Sequence, residues 1–208
     1  MSTYLATPTG TTRGGLLVLH AWWGLNDFTK SFCNRLAGEG YLVLAPDLYH
    51  GAVATTIPDA KKLRGKLKRD MAAQEILQAL TELQSHPGVT GKPLGVIGFS
   101  LGAFWTLWLA ETNPDVFKAV VLFYGNRGGE YAGAKAAFLG HFAGTDPYVS
   151  ESGRKKLERT LKSAGKETSF HVYPGTGHWL FESNRPEYDP DAASLAWQRT
   201  VDFLHTHV

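Results

Sequence analysis

The stretch Pro93-Leu94-Gly95-Val96-Ile97-Gly98-Phe99-Ser100-Leu101-Gly102 decides how this chain folds. A short apolar run leads into Gly98-Phe99-Ser100-Leu101-Gly102, which fits the pattern G-x-S-x-G, and an apolar segment of helical character runs on from Leu101 to Ala110. A strand that turns this sharply into a helix leaves the serine on a strained corner. Its neighbours two before and two after must be small, because strand and helix crowd together there. Gly98 and Gly102 meet that demand. Ser100 would stand clear of the sheet at the positive end of a helix, where developing negative charge is favoured. With 23 glycines in 208 residues the pattern alone is a weak signal. Context decides: a strand before, a helix after, then an acid and a histidine further on.

Outward from that stretch the chain alternates. Apolar runs at Leu16–His20, Tyr41–Ala45, Leu94–Ile97, Phe117–Tyr124 and Ser169–Tyr173 read as buried strands, with a weaker one at Ala136–Phe142 and a further edge candidate at Thr3–Ala6. Helices are expected between them. Asn26 or Asp27 starts one that runs to about Ala37, a second covers about Asp70 to Gln84, and a third covers about Ser150 to Ala164. Asp189 and Pro190 open the last, with Ala193, Trp197, Val201 and Leu204 on one face. Leu48 to Pro58 reads as loop. Strands alternating with helices predict an α/β fold, a mostly parallel, doubly wound sheet of six to seven strands. Nothing in the sequence divides residues 1–208 into more than one domain. In such sheets ligands bind beyond the carboxyl ends of the strands.

Three such post-strand loops carry Ser100, Asp146 and His178. The serine hydroxyl is a poor nucleophile unless a base takes its proton as it attacks. A histidine can take that proton and return it to the leaving group, and a carboxylate orients the ring and stabilises the imidazolium. Asp115 and Glu151 compete for the acid role, but Asp115 reads as a turn residue and Glu151 as a helix-end carboxylate. His171 lies inside a strand, and His205 and His207 stand at i, i+2 on a helix and point apart. The oxyanion of a tetrahedral intermediate needs two backbone donors. The Leu101 amide follows the nucleophile, and the Trp22 amide sits in the loop His20-Ala21-Trp22-Trp23-Gly24 after the first long strand. Trp23, Trp105 and Trp179 fall near the same edge and suggest an apolar substrate pocket.

Composition removes other classes. A formal charge of +2 carries no nucleic-acid footprint. The one local charge excess, Lys61-Lys62-Leu63-Arg64-Gly65-Lys66-Leu67-Lys68-Arg69, reads as a solvated helix face or loop, or as an attraction for anionic substrates at a nearby pocket. The single cysteine, Cys33, excludes an intramolecular disulfide and reads as a buried thiol. With no H-x-x-x-H pair and no Cys/His cluster, neither a metal site nor another cofactor is expected. No secretion signal and no run of about 20 apolar residues is present, which predicts a cytoplasmic protein without membrane partners. Oligomeric state is not encoded in any motif.

At this point the residues resemble a known family. His20-Ala21-Trp22-Trp23-Gly24-Leu25-Asn26, Ala45-Pro46-Asp47-Leu48-Tyr49, Gly98-Phe99-Ser100-Leu101-Gly102, Gly144-Thr145-Asp146 and Gly177-His178 are similar, in order and spacing, to motifs of the dienelactone hydrolase family of α/β-hydrolases. The resemblance implies the α/β-hydrolase fold without a large lid, a nucleophile elbow at Ser100, and hydrolysis of small carboxylic esters or lactones through an acyl-enzyme. Founding members use cysteine where this chain has Ser100, and a glutamate that helps ionise it where this chain has Ala21. The two departures go together, since a serine paired with His178 has no use for that glutamate. The family's lactone enzymes also hold a substrate carboxylate with arginines. Arg64 and Arg185 are the candidates here, but a surface salt bridge is the expected role of each. These departures favour a general carboxylesterase over an enzyme dedicated to dienelactone. A non-catalytic relative that binds an apolar ligand, or an acyl- or thioester-transferring one, is the alternative.

Overall fold

The apolar runs become strands, and their order in space explains why they are apolar throughout. The computed structural model describes residues 2–208. The strands are β1 (Thr3–Ala6), β2 (Gly15–Leu19), β3 (Leu42–Pro46), β4 (Leu94–Phe99), β5 (Phe117–Phe123), β6 (Ala137–Ala143) and β7 (Thr168–Tyr173). They form one seven-stranded sheet in the order β1-β3-β2-β4-β5-β6-β7. All neighbours are parallel except β1, which pairs antiparallel with β3 at the edge. Every residue of β2, β3, β4 and β6 is buried, so these strands show no alternation of polar and apolar residues.

Helices α1 (Asp27–Gly38), α2 (Ile57–Lys66), α3 (Arg69–Ser85), α4 (Leu101–Thr112), α5 (Glu151–Ser163) and α6 (Pro190–His207) cover the sheet. Phe32 and Leu36 of α1 pack with Ala196 and Leu204 of α6 against Val18, Val43, Ile97 and Val121 on one face. Ile76 and Leu80 of α3, Leu107 of α4 and Leu161 of α5 pack against Leu17, Leu44, Val96 and Val120 on the other. Each large apolar side chain buried in these layers contributes about 1.5–3 kcal/mol. Helix starts follow the expected chemistry: the side chains of Asn26, Ser150 and Asp189 accept the amides of Thr29, Gly153 and Ala192. Helix α2 stands where the sequence suggested no more than a basic face or loop. Thr56 caps it, Pro58 lies in its first turn, and only Ala60 is buried.

The sheet winds outward in both directions from β2 and β4, so the strand order reverses between them. That switch point opens a crevice at the carboxyl ends of the two strands. The turn from β4 into α4 sits there, packed so closely on β2 that a Cβ on Gly102 would collide with the Leu19 and His20 carbonyl oxygens. A Cβ on Gly98 would strike Thr106 Oγ1 and the Gly102 backbone. Gly38, at the end of α1, has open space around it. Gly102→Ala should therefore destabilise the protein by about 2–3 kcal/mol or more, whereas Gly38→Ala should be neutral or stabilise it by up to about 1 kcal/mol. Chemical denaturation of the two variants beside wild type checks this; equal midpoints would contradict the steric account.

Candidate active site

Ser100 joins β4 to α4 at φ +50° and ψ −105°, a conformation that costs a non-glycine residue on the order of 1–3 kcal/mol. Its surroundings hold it there. The Ser100 amide donates to the Phe123 carbonyl of β5 at 2.9 Å, and its carbonyl accepts the Phe104 amide of α4 at 3.2 Å. The side chain is thereby lifted off the sheet.

The loops after β6 and β7 deliver the other two residues. Ser100 Oγ lies 2.9 Å from His178 Nε2, and His178 Nδ1 lies 2.7 Å from Asp146 Oδ2. Asp146 Oδ1 accepts the amides of Tyr148 and Val149 at 2.8 and 3.0 Å, which fixes the carboxylate plane. The side chains of His178 and Asp146 are only 2% and 5% exposed, so their pairing is weakly screened by water. The competing acids lie elsewhere: Glu151 pairs with Lys155 on α5 at 2.6 Å, and Asp115 is exposed. His205 and His207 face Glu39 and Glu167 respectively, apart from each other. Among the described residues no group of three or more His, Cys, Asp or Glu could hold a metal ion. Cys33 is buried in α1 among apolar side chains, and burial pushes its thiol up to about 12.

The Ser100 hydroxyl opens on a cleft of about 720 Å³. Its walls include Trp22, Leu67, Leu101, Phe104, Trp105, Tyr124, Tyr148 and Val149, with Lys61, Arg64 and Arg69 at its mouth. The Leu101 amide is the first of α4, where no turn precedes to accept it. The Trp22 amide has no acceptor among the described residues. Of the tryptophans singled out in the sequence, Trp105 lines the cleft. Trp23 and Trp179 are not among its walls; their rings pack against the Trp22 ring at 5.5 and 6.0 Å. Arg185 is not at the cleft either. Its guanidinium lies 3.9 Å above the Trp23 ring and donates to the Thr55 carbonyl. The expected role of Arg64 and Arg185, a surface salt bridge, is not found: neither makes one among the described residues.

Sequence reasoning missed two tyrosines and a glutamate. The rings of Tyr124 and Tyr148 pack tilted against the His178 imidazole, at 5.0 and 4.8 Å between ring centres. Tyr124 ends β5 in a left-handed conformation, and its hydroxyl donates to Glu182 Oε1 at 3.0 Å. The position of Tyr124 just before Gly125, at the end of a strand neighbouring the elbow, was the available signal. Glu182 had none, because nothing in its local sequence announces a buried carboxyl.

Glu182 is 1% exposed, and burial pushes its carboxyl up to about 8 from an ordinary 4.5. Tyr124 donates to it and Arg185 draws it back only in part. Between those two values the native state holds a proton that the unfolded chain has lost. Stability then falls as pH rises through that window, by a total on the order of 5 kcal/mol. Glu182→Gln keeps the acceptor for Tyr124 and removes the titration. Relative to wild type, the variant should gain stability from pH 5 to pH 8.5. Denaturation midpoints that stay parallel across this range would show that Glu182 is not the titrating group.

Comparison with known proteins agrees with this architecture. The model of the "Dienelactone hydrolase family" matches residues 1–208. A protein of Aquifex aeolicus named "Putative carboxymethylenebutenolidase" is 31% identical over 215 residues, covering 99% of this chain and 93% of its own length. "Protein usf" of Aquifex pyrophilus is also 31% identical, covering 99% of this chain and 93% of its own. Among solved structures, a "Putative Dienelactone Hydrolase" from Klebsiella pneumoniae superposes with a TM-score of 0.86 at 25% identity, over 99% of this chain and 92% of its own. An α/β sheet wound outward from β2 and β4, a serine on the sharp turn between β4 and α4, and a family match along the whole length have one reading: this chain belongs to the dienelactone hydrolase family of α/β-hydrolases.

Proposed function

We propose that the protein hydrolyses small carboxylic esters or lactones, with Ser100 as nucleophile, His178 as general base and acid, and Asp146 as the group that orients the ring. The observation that carries this reading is the unbroken hydrogen-bonded line from Ser100 Oγ through His178 to Asp146 at the floor of the cleft. With Asp146 accepting the Nδ1 proton, the lone pair of Nε2 faces the serine hydroxyl. As Oγ bonds to the ester carbonyl carbon, Nε2 takes its proton. The carbonyl oxygen becomes an oxyanion held by the Trp22 and Leu101 amides. The imidazolium then gives its proton to the departing alkoxide, leaving an acyl-serine. A water molecule attacks that ester while Nε2 takes its proton, and the return of that proton to Oγ releases the acid.

The cleft itself favours an apolar acyl or alcohol group that carries a negative charge at its far end. Leu101, Phe104 and Trp105 line the interior, and Lys61, Arg64 and Arg69 are exposed at the mouth without carboxylate partners among the described residues. This is a charge that steers and holds an anion in water, so it is sensitive to salt. A free, inert Cys33 suits the reducing cytoplasm in which we place the protein.

Ser100→Ala should lose at least about 1,000-fold in kcat on a short-chain nitrophenyl ester, and a fluorophosphonate should label wild type stoichiometrically at Ser100. Equal rates in the two proteins would remove Ser100 from the reaction. An unlabelled wild type would favour a binding protein. Arg64→Ala should lower kcat/KM about 3–10-fold for an ester bearing a carboxylate at low salt, and less than about 2-fold for its neutral counterpart. A loss that is equal for both esters would contradict an anion-holding role.

A further inference from the structure

We propose that His20 is a positioning residue that aims the Trp22 amide at the oxyanion, and that the Leu48 amide, presented by the turn shaped by Asp47, sets the ring tautomer that lets it do so. The proposal rests on the ester-hydrolase reading above and adds the element that sets its oxyanion donor.

His20 follows β2 and is completely buried. Its Nδ1 lies 2.6 Å from the Ala21 carbonyl oxygen, and its Nε2 lies 3.2 Å from the Leu48 amide nitrogen. The two contacts together settle the tautomer. An amide can only donate, so Nε2 is the bare nitrogen, and Nδ1 carries the proton and donates it to the Ala21 carbonyl. Burial lowers the pKa of the ring, in keeping with this neutral form.

The Ala21 carbonyl and the Trp22 amide belong to one planar peptide, in which C=O and N–H point in opposite directions. Whatever fixes the carbonyl therefore fixes the amide. The Ala21 oxygen is held from two sides, by His20 Nδ1–H and by the Gly24 amide at 3.2 Å. The Trp22 N–H is turned to the opposite side, without a protein acceptor among the described residues, and Trp22 lines the cleft together with Ser100. Such a donor contributes to catalysis because it is already aimed before charge develops.

The second ring nitrogen explains a motif that otherwise has no part in the site. No residue of Pro46-Asp47-Leu48-Tyr49 lines the cleft. Asp47 is 5% exposed, and its carboxylate accepts the amides of Tyr49 at 3.0 Å and of Gly51. That closes the turn in which the Leu48 N–H faces His20. The Tyr49 ring packs edge-on against the imidazole at 5.1 Å. The path runs from the Asp47 turn to the Leu48 amide, through the His20 ring to the Ala21 carbonyl, and so to the Trp22 N–H.

Two substitutions separate the ring's functions. His20→Asn places an amide N–H near the position of Nδ1 and loses the acceptor for Leu48. His20→Gln can reach the Leu48 amide but leaves the Nδ1 position without a donor. Both variants and wild type are assayed on a neutral nitrophenyl ester, and a trifluoromethyl ketone serves as the probe of oxyanion binding. His20→Gln should lose about 10–100-fold in kcat with KM within about 3-fold, and its Ki for the ketone should rise by the same factor. His20→Asn should stay within about 5-fold of wild type in both measures. Retention of kcat by His20→Gln, an equal loss in both variants, or a loss of kcat without a change in Ki would each overturn the proposal. Dependence of the wild-type rate on Ser100 is measured alongside. If that dependence holds while His20→Gln is unaffected, the positioning role fails and the hydrolase reading stands; if it is absent, the hydrolase reading itself fails.

Discussion

Gly102 lies against the Leu19 and His20 carbonyl oxygens, and Gly98 lies against Gly102, with no room for a Cβ at either position. This contact brings the first turn of α4 down onto the end of β2. Two consequences follow from sterics alone. The chain between the glycines must turn so sharply that Ser100 takes φ +50°, and its hydroxyl projects away from the sheet. The loop after β2, which contains Trp22, becomes the immediate neighbour of that hydroxyl. Ser100 and the loop proposed to supply an oxyanion donor are thus brought together by the packing of one helix on one strand. The strain at Ser100, about 1–3 kcal/mol, is offset by the surrounding core and by the backbone bonds to Phe123 and Phe104.

The same region keeps a set of ionisable groups nearly dry. His178 packs against the Tyr124 and Tyr148 rings, with Asp146 on one nitrogen and Ser100 on the other. Glu182 stands one ring further away, bonded to the Tyr124 hydroxyl. An ionised carboxylate there would compete with Asp146 for influence over the imidazole. Burial disfavours that ionisation and raises the carboxyl pKa to about 8. Two carboxyl groups a short distance apart are given different roles by solvent exclusion and by the donors each one meets. Asp146 receives two backbone amides and an imidazole, whereas Glu182 receives one hydroxyl.

The fold was legible because parallel strands buried on both faces must be apolar end to end, and the runs at Leu16, Tyr41, Leu94 and Phe117 stand out for that reason. Caps such as Asn26 and Asp189 marked helix starts through a local hydrogen bond that any reader of the sequence can anticipate. Helix α2 was hidden, since it buries little more than Ala60 and carries no apolar stripe. Ser100, Asp146 and His178 could be found because topology alone sends post-strand loops to one rim. Which side of a loop faces the cleft is a matter of tertiary packing. That is why Trp23 and Trp179 read as pocket residues but pack against Trp22, and why Arg185 stacks on Trp23. Likewise, the role of Tyr124 depends on Glu182, 58 positions away, and no local pattern records that contact.

The charges at the mouth and the dipoles at the floor of the cleft work in different media. Lys61, Arg64 and Arg69 are exposed, so their field is cut by water within about 10 Å at ordinary salt. In the proposed reaction they would raise the local concentration of an anionic ester and help hold it, but would add little at the moment the carbonyl becomes tetrahedral. The Trp22 and Leu101 amides lie deeper, beside a largely buried imidazole, where the same partial charges act through a lower dielectric. As the proposed oxyanion donors they would act chiefly on the transition state, because only then would the substrate oxygen carry the charge they are aimed at. On the proposed reading, specificity for an anion and acceleration of the chemical step are therefore separable. The first belongs to α2 and the start of α3, the second to the loop after β2 and the first turn of α4.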